Sequence, residues 1–261
     1  MRLSTGSCFV ISLLGLPRGE PKCPCAECRE VFFPSRGIRV SIPRVKPIIF
    51  DLDGTLVESL PGIAASLNRA LIAHGLPGHS HMAVRGFIGD GARMLAQRAL
   101  TGVSRLELLE SVLRLFGADY AVSWQSGTTV YPGILPLLEK LRTRGIPLAV
   151  LSNKPHPFTL EIAEKLFPDQ PFTVILGNRE GLPHKPDPTG ALEIAATLGA
   201  PPEACTLVGD STMDLDTAKN AGMSSIAVTW GYHDAARLSF ANAIVDSMQE
   251  LDALLSVENN G

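Results

Sequence analysis

The sequence predicts an α/β fold, with a doubly wound, Rossmann-like parallel sheet as the core and an inserted all-helical cap domain. Two observations predict the sheet: short apolar runs recur from Ile48 onward, and amphipathic helical patterns separate them, as in the βαβ units of parallel sheets. A third predicts the cap. Residues 59–130 contain helical patterns and no convincing strand, and about 70 residues is too long for a simple connection.

Four apolar runs are predicted to be buried strands because they are short, continuous and bounded by turn residues. Each ends at polar or small residues, and a fifth, weaker run lies at residues 172–176. Ligands bind beyond the carboxyl ends of such strands, so the side chains at those ends are the candidates for function. The four runs are residues 47–50, 147–151, 205–208 and 225–228.

The helical patterns divide the chain into predicted domains. Three amphipathic helices are predicted in the insertion, near residues 63–71, 94–100 and 106–116, and the insertion directly follows the first strand, so it can fold over that strand's end as a lid. The predicted organisation is an α/β core at residues 46–58 and 131–255, a helical cap at residues 59–130, a disordered extension at residues 1–45 and a C-terminal tail at residues 256–261.

The cysteines and the overall charge narrow the class of protein. Four of the five cysteines lie in the first 28 residues, so the main body has no disulfide framework and is predicted to be cytoplasmic. Cys23, Cys25 and Cys28 could bind zinc, but a structural zinc site normally has four ligands, and disorder is the preferred interpretation. A net charge of −3 and the lack of a long apolar run argue against nucleic-acid binding and against a membrane span.

Asp51 and Asp53 flank one residue at the end of the first predicted strand, so both can face one crevice. Two close carboxylates repel each other, and a hard divalent cation relieves that repulsion. Gly54 lets the backbone approach a ligand, and Thr55 can hydrogen-bond a carboxylate. This pattern alone could equally be a cap for the next helix.

The later strand ends carry complementary groups. Ser152 and Asn153 offer a hydroxyl and amides to phosphate oxygens, and Lys185 stands in a loop framed by prolines. Asp210 and Asp214 lie four residues apart at the start of a predicted helix. Each of these has an ordinary structural explanation, but together they predict a site for an anion and a metal ion.

In order and spacing, these residues resemble the four motifs of the haloacid dehalogenase superfamily. The resemblance covers residues 46–255, and the runs at 51–59, 152–155 and 185–188 look like its phosphoglycolate phosphatase branch, as does Tyr131-Pro132-Gly133. The resemblance implies a phosphatase that acts on a small phosphorylated metabolite, with phosphoglycolate favoured. Residues 1–45 have no counterpart in it.

The resemblance also implies a role for each motif residue. Asp51 would attack phosphorus and form an aspartyl-phosphate, and Asp53 would protonate the leaving alcohol and then activate water. Mg²⁺ would be held by Asp51, the Asp53 carbonyl and Asp210, with Asp214 acting indirectly. The implied contacts to the substrate are Thr55, Ser152, Asn153 and Lys185, and Arg93 is a further candidate from the cap.

Several alternatives stay open within and outside the superfamily. Dehalogenases lack the second acid, and phosphonate hydrolases need a cap lysine, whereas none occurs between Lys46 and Lys140. A phosphosugar mutase, a pyrophosphatase and a nucleotide phosphatase remain. A signalling receiver domain or a non-catalytic phosphate-binding module is the alternative from another class, although a receiver would lack the cap. The sequence leaves the oligomeric state open.

Overall fold

The computed structural model describes residues 11–13, 28–33, 38–43, 46–102, 106–169 and 171–258. These belong to two compact units, residues 1–45 with 257–261 and residues 46–256. In the first unit, strands β1 (Ile11–Leu13), β2 (Cys28–Phe33) and β3 (Ile38–Pro43) form an antiparallel sheet in the order β1-β3-β2. Disorder stays a prediction for the rest of residues 1–45, and Cys23 and Cys25 lie outside the described residues.

A six-stranded parallel sheet forms the centre of the second unit, in the order β11-β10-β9-β4-β7-β8. Phe50 of β4 lies in register with Val150 of β7 on one side and Val208 of β9 on the other. The strands of this unit are β4 (Ile48–Phe50), β5 (Val57–Glu58), β6 (Thr129–Val130), β7 (Leu148–Pro155), β8 (Val174–Asn178), β9 (Thr206–Gly209), β10 (Ser224–Val228) and β11 (Ala243–Val245).

Helices complete the α/β fold that the sequence predicted, and that prediction is confirmed. Short 3₁₀ turns occur at Leu106–Leu108, Trp124–Gly127, Pro202–Ala204 and Ala235–Leu238. Within the described residues, no helix is both long and apolar enough to span a bilayer. The α-helices are α1 (Leu60–Ile72), α2 (His81–Arg85), α3 (Gly91–Ala99), α4 (Leu109–Ser123), α5 (Ile134–Thr143), α6 (His156–Leu166), α7 (Thr189–Thr197), α8 (Thr212–Ala221) and α9 (Met248–Glu258).

Helices α1 to α4 make up the cap, which is inserted between β4 and β7. The chain enters and leaves it through a two-stranded antiparallel ribbon of β5 and β6, in which Val57 pairs with Val130. Residues 129–130, predicted to be part of the helical insertion, therefore belong to this ribbon. Helix α1 packs against α4 and buries Leu67, Val112 and Phe116, so the cap has a hydrophobic centre of its own.

Two glycines of the cap, from different elements, lie in close contact. A Cβ on Gly127, at the end of the 3₁₀ turn after α4, would lie 2.5 Å from the Cα of Gly62 in α1. Only hydrogen at this position permits the turn and the helix to pack together.

We expect Gly127→Ala to lower the free energy of unfolding by about 2 kcal/mol, because the added methyl group overpacks two backbones. Gly117→Ala in α4 is the matched control, since its Cβ meets nothing within 4 Å and alanine favours a helix by up to about 1 kcal/mol. Urea denaturation of both variants measures the difference. Equal stabilities would contradict the close approach.

Candidate active site

The carboxyl ends of β4, β7 and β9 open into a chamber of about 280 Å³ between the sheet and the cap. Asp51, Asp53, Ser152 and Asp210 line its core side. These side chains come from separate parts of the sequence, and the parallel sheet brings them together because its strands all end at one edge. The structure therefore assembles most of the predicted residues at one place.

Lys185 lies at the centre of this group and is buried. Its Nζ is 2.8 Å from Asp51 Oδ1 and 2.6 Å from Asp214 Oδ1, and it donates a hydrogen bond to the Leu151 carbonyl at 3.1 Å. Burial lowers the pKa of Lys185, but the Asp214 and Asp51 carboxylates outweigh burial and raise the pKa above its usual value. Lys185 is therefore an ammonium ion at neutral pH.

The two carboxylate oxygens of Asp51 differ in their contacts with the protein. Oδ1 accepts a hydrogen bond from the Leu52 amide at 2.7 Å and contacts Lys185, so Oδ2 is the oxygen that these groups do not engage. Burial raises the pKa of Asp51 to about 7, against the lowering effect of Lys185. A second positive charge nearby would favour its ionised form.

Asp210 is held by the backbone at its own edge of the chamber. Its Oδ2 accepts a hydrogen bond from the Tyr232 amide at 2.6 Å, and Thr55 donates to Oδ1 at 3.3 Å. Burial is the main cause that raises its pKa, and Asp214 and Asp51 add to it. Two glycines, Gly54 and Gly231, pack against this carboxylate, since a Cβ on either would lie within 2.7 Å of Asp210 Cγ.

Asp214 connects helix α8 to Lys185. With Ser211 it forms a capping box, in which Asp214 Oδ2 accepts from the Ser211 amide at 3.1 Å. The other oxygen, Oδ1, contacts Lys185. Because both oxygens have protein partners, the side chain is well placed to orient Lys185.

The chamber's acids fit a hard divalent cation. Carboxylate oxygens of Asp51, Asp210 and Asp214 lie within 4.8 Å of one another, and oxygen is the ligand atom that Mg²⁺ prefers. Repulsion among the three raises the pKa of Asp51 and Asp210 in addition to burial, so a cation would relieve an existing strain on their ionised forms.

Asp53 lies beside a second buried lysine, Lys154, to which sequence reasoning gave no role. Lys154 Nζ is 3.0 and 3.1 Å from the two Asp53 oxygens, and Ser59 Oγ donates to Asp53 at 2.6 Å. The same ammonium lies 4.7 Å from the ring centre of Tyr120 in cap helix α4. The two-residue period of β7 was the available signal, because it places Lys154 on the same face as Ser152.

Asn153 acts differently from the phosphate-binding amide that the resemblance implied. Its Oδ1 accepts from the Lys185 amide at 2.8 Å, and its Nδ2 donates to the carbonyls of Lys185 and Gly89 at 3.1 and 3.0 Å. The side chain therefore ties the Lys185 loop of the core to a cap loop. Ser152 is buried nearby, and its Oγ accepts from the Lys154 amide at 3.2 Å.

Four predicted site residues are outside the chamber lining. Thr55, Lys185 and Asp214 are buried and contact the site's acids or each other, whereas Arg93 makes no such contact. Its guanidinium pairs with Glu110, and both side chains are more than half exposed. Tyr232, which sequence reasoning missed, lines the chamber instead, and its hydroxyl accepts from the Ser59 amide at 2.8 Å. No sequence pattern pointed to Tyr232, because it lies in a loop after β10.

A parallel sheet that gathers carboxylates around a buried lysine beside a capped chamber is typical of α/β enzymes that act on small anionic substrates. Comparisons with known proteins narrow this class. A sequence profile of haloacid dehalogenase-like hydrolases matches residues 48–228. The chain belongs to this family, and its relatives identify it as an enzyme of the phosphatase type.

Two similar proteins and one similar solved structure carry the name phosphoglycolate phosphatase. Phosphoglycolate phosphatase of Salmonella typhimurium is 34% identical over 232 residues, which cover 80% of this chain and 92% of that protein. The phosphoglycolate phosphatase of Pseudomonas putida is 36% identical over 198 residues, covering 74% and 72%. A crystal structure of a predicted phosphoglycolate phosphatase from Haemophilus somnus superposes with a TM-score of 0.75 at 33% identity, covering 80% and 97%.

We expect Asn153→Ala to lower the free energy of unfolding by about 2 kcal/mol or more, because it leaves buried backbone groups of Lys185 unpaired. Asn220→Ala is the control: this exposed side chain makes one hydrogen bond, to Pro186 of the same loop, and its loss costs about 0.5 kcal/mol or less. Thermal and urea denaturation measure both variants. The role given to Asn153 is wrong if the two variants are equally stable.

Proposed function

We propose that this protein is a Mg²⁺-dependent phosphatase that hydrolyses a small phosphomonoester through a phosphorylated Asp51. The observation that carries the proposal is that only one of the two Asp51 carboxylate oxygens contacts Lys185 and the Leu52 amide. Lys185 and the Leu52 amide hold Oδ1, which leaves Oδ2 to act as the nucleophile, and Asp53 lies two residues away on the chamber wall. A nucleophile and an acid–base group in one chamber are what a two-step transfer requires.

In the first step, Asp51 Oδ2 forms a bond to phosphorus while the bond from phosphorus to the alcohol oxygen breaks. Asp53, in its protonated form, gives its proton to that oxygen, and the alcohol leaves. In the second step, Asp53 takes a proton from water, the resulting hydroxide attacks phosphorus, and the bond to Asp51 breaks. Inorganic phosphate leaves, and both carboxyl groups return to their starting forms.

Lys185 and Ser152 are proposed to bind the oxygens of the transferring phosphoryl group. A fixed ammonium ion offsets the charge of those oxygens throughout the transfer. Asp214 positions Lys185 for this task, Asn153 holds its loop, and Thr55 orients Asp210 through the 3.3 Å hydrogen bond. The amide role implied for Asn153 is not needed, because its hydrogen-bonding groups already serve the loop.

The proposed metal ligands are Asp51, Asp210 and the backbone carbonyl of Asp53, with Asp214 acting through Lys185. When bound, Mg²⁺ supplies positive charge for the phosphoryl oxygens and favours the ionised form of Asp51. The hard oxygen donors and their mutual repulsion support this assignment. We further propose a cytoplasmic location, with no nucleic-acid partner.

The names of the relatives make phosphoglycolate the first candidate substrate. The residues that line the chamber help to choose among the alternative activities that the sequence left open. A phosphosugar mutase holds a bisphosphate and needs a second cationic site. Within the described residues, no cap arginine lines the chamber, which disfavours that alternative. Esters with one phosphoryl group remain as candidates, nucleoside monophosphates among them, whereas pyrophosphate would bring a second phosphoryl group and more negative charge.

We expect Asp51→Asn to lower turnover of p-nitrophenyl phosphate by about 10⁴-fold or more, since it removes the nucleophile. Asp53→Asn should slow turnover by about 10²- to 10⁴-fold, mainly in the second step, because p-nitrophenolate leaves without protonation. A phosphate adduct should then accumulate on Asp53→Asn and be visible by intact mass spectrometry. Asp187→Asn, in the Lys185 loop but outside the chamber, is the control; activity in Asp51→Asn would refute the covalent route.

Adding Mg²⁺ should raise the unfolding temperature of the wild type. Binding to the folded state alone stabilises it by about 2.7 kcal/mol at a hundredfold excess over Kd. Asp210→Asn should lose this rise, because a proposed ligand is gone and the repulsion that drives binding is smaller, whereas Asp187→Asn should keep it. Differential scanning calorimetry with EDTA and then with MgCl₂ measures the rise. An equal rise in Asp210→Asn and wild type would place the metal elsewhere.

A further inference from the structure

The cap side of the chamber is apolar. Beyond the core carboxylates, the wall consists mainly of aliphatic and aromatic side chains from the cap and from helix α6. Its large apolar residues are Ile63, Ile88, Leu95, Leu113, Phe116 and Phe158. A phosphoryl group bound at Asp51 would therefore direct its alcohol toward hydrocarbon.

Lys154 is the only lysine or arginine that lines the chamber within the described residues. Its ammonium already contacts both oxygens of Asp53, at 3.0 and 3.1 Å, and lies over the Tyr120 ring. His233, the lining histidine, has its pKa lowered by burial and by Arg237, so it is neutral at neutral pH. Among the described lining residues, a negative group on the alcohol would therefore find no uncommitted cation to bind.

None of the described cap arginines lines the chamber, and each has a partner. Arg85 donates to the carbonyls of Tyr232 and Gly231 at 2.7 and 3.0 Å, and Arg98 pairs with Asp90. Arg69 pairs with Asp119 at 2.6 Å. Together with the exposed Arg93–Glu110 pair and the hydrogen bond from Arg114 to Ser111, these contacts leave the described part of the chamber wall without a cap arginine. Arg105 lies outside the described residues.

From this wall we propose that the chamber selects phosphomonoesters of uncharged, largely apolar alcohols, alkyl or aryl-alkyl, over esters whose alcohol carries a carboxylate. The inference rests on the proposed phosphatase function and specifies its substrate class. Burying a carboxylate against hydrocarbon without a cation is costly, whereas each methylene group that enters an apolar pocket favours binding by about tenfold or more. Phosphoglycolate, the candidate that the relatives' names support, carries such a carboxylate, and on this inference it would be a poor substrate in spite of that similarity.

A matched ester series tests the proposal on the full chain. Benzyl phosphate, propyl phosphate, glycerol phosphate and phosphoglycolate all release alcohols rather than phenols, so differences in kcat/KM report mainly on the chamber. We expect benzyl phosphate to exceed phosphoglycolate by about tenfold or more in kcat/KM. Phosphoglycolate equal to or better than benzyl phosphate would overturn the chamber inference and leave the phosphatase proposal intact. No turnover of any ester would instead refute the phosphatase proposal itself.

A cation placed in the wall gives a second test. Leu113 in α4 is half-buried and lines the chamber, whereas Leu115, two residues on, is half-buried outside the lining. Leu113→Lys should shift the ratio of kcat/KM toward phosphoglycolate by about tenfold or more, and Leu115→Lys should leave the ratio unchanged. Equal shifts in both, or no shift in a folded Leu113→Lys, would overturn the proposal. If Leu113→Lys does not fold, the wild-type ester series decides alone.

Discussion

The buried ammonium of Lys185 is the contact on which the rest of the site depends. It lies between Asp51 and Asp214, at 2.8 and 2.6 Å, in a part of the protein from which water is largely excluded. A buried charge is tolerated only when it is paired and hydrogen-bonded, and Lys185 satisfies that condition for two carboxylates at once. Asp210 makes a third acid within the same cluster. Three carboxylates outnumber the one lysine, so a divalent cation would complete the charge balance of their ionised forms.

Helix capping, glycines and side-chain hydrogen bonds at the strand ends hold the residues of this cluster in place. The Ser211–Asp214 capping box fixes the first turn of α8, and the same carboxylate then orients Lys185, so helix capping and site assembly depend on one side chain. Gly54 and Gly231 let the backbone close over Asp210. Asn153 joins the Lys185 loop to Gly89 of the cap. Each of these interactions stabilises the fold and also restricts the conformations of a side chain in the site.

Sequence patterns predicted what depends on local periodicity and composition. The apolar runs located β4, β7, β9 and β10 to within a few residues, and the motif acids and Lys185 do meet at one edge of the sheet. The three-residue strand β11 and the five-residue helix α2 are too short to carry a period. The contacts of Asn153 and Arg93 could not be predicted, because which partner a polar side chain finds depends on elements distant in sequence.

The pair of Lys154 and Asp53 connects the chemistry of the core to the cap. Lys154 extends from β7 to Asp53, and its ammonium lies over the ring of Tyr120 in α4. Ser59 donates a hydrogen bond to the same carboxylate at 2.6 Å, so an ammonium and a hydroxyl hold Asp53 together. Since Tyr120 and Asp53 share one ammonium, a change in the position of α4 would also change the contact between Lys154 and Asp53. The cap is therefore linked through Lys154 to the proposed acid–base group, and it also sets the shape of the chamber.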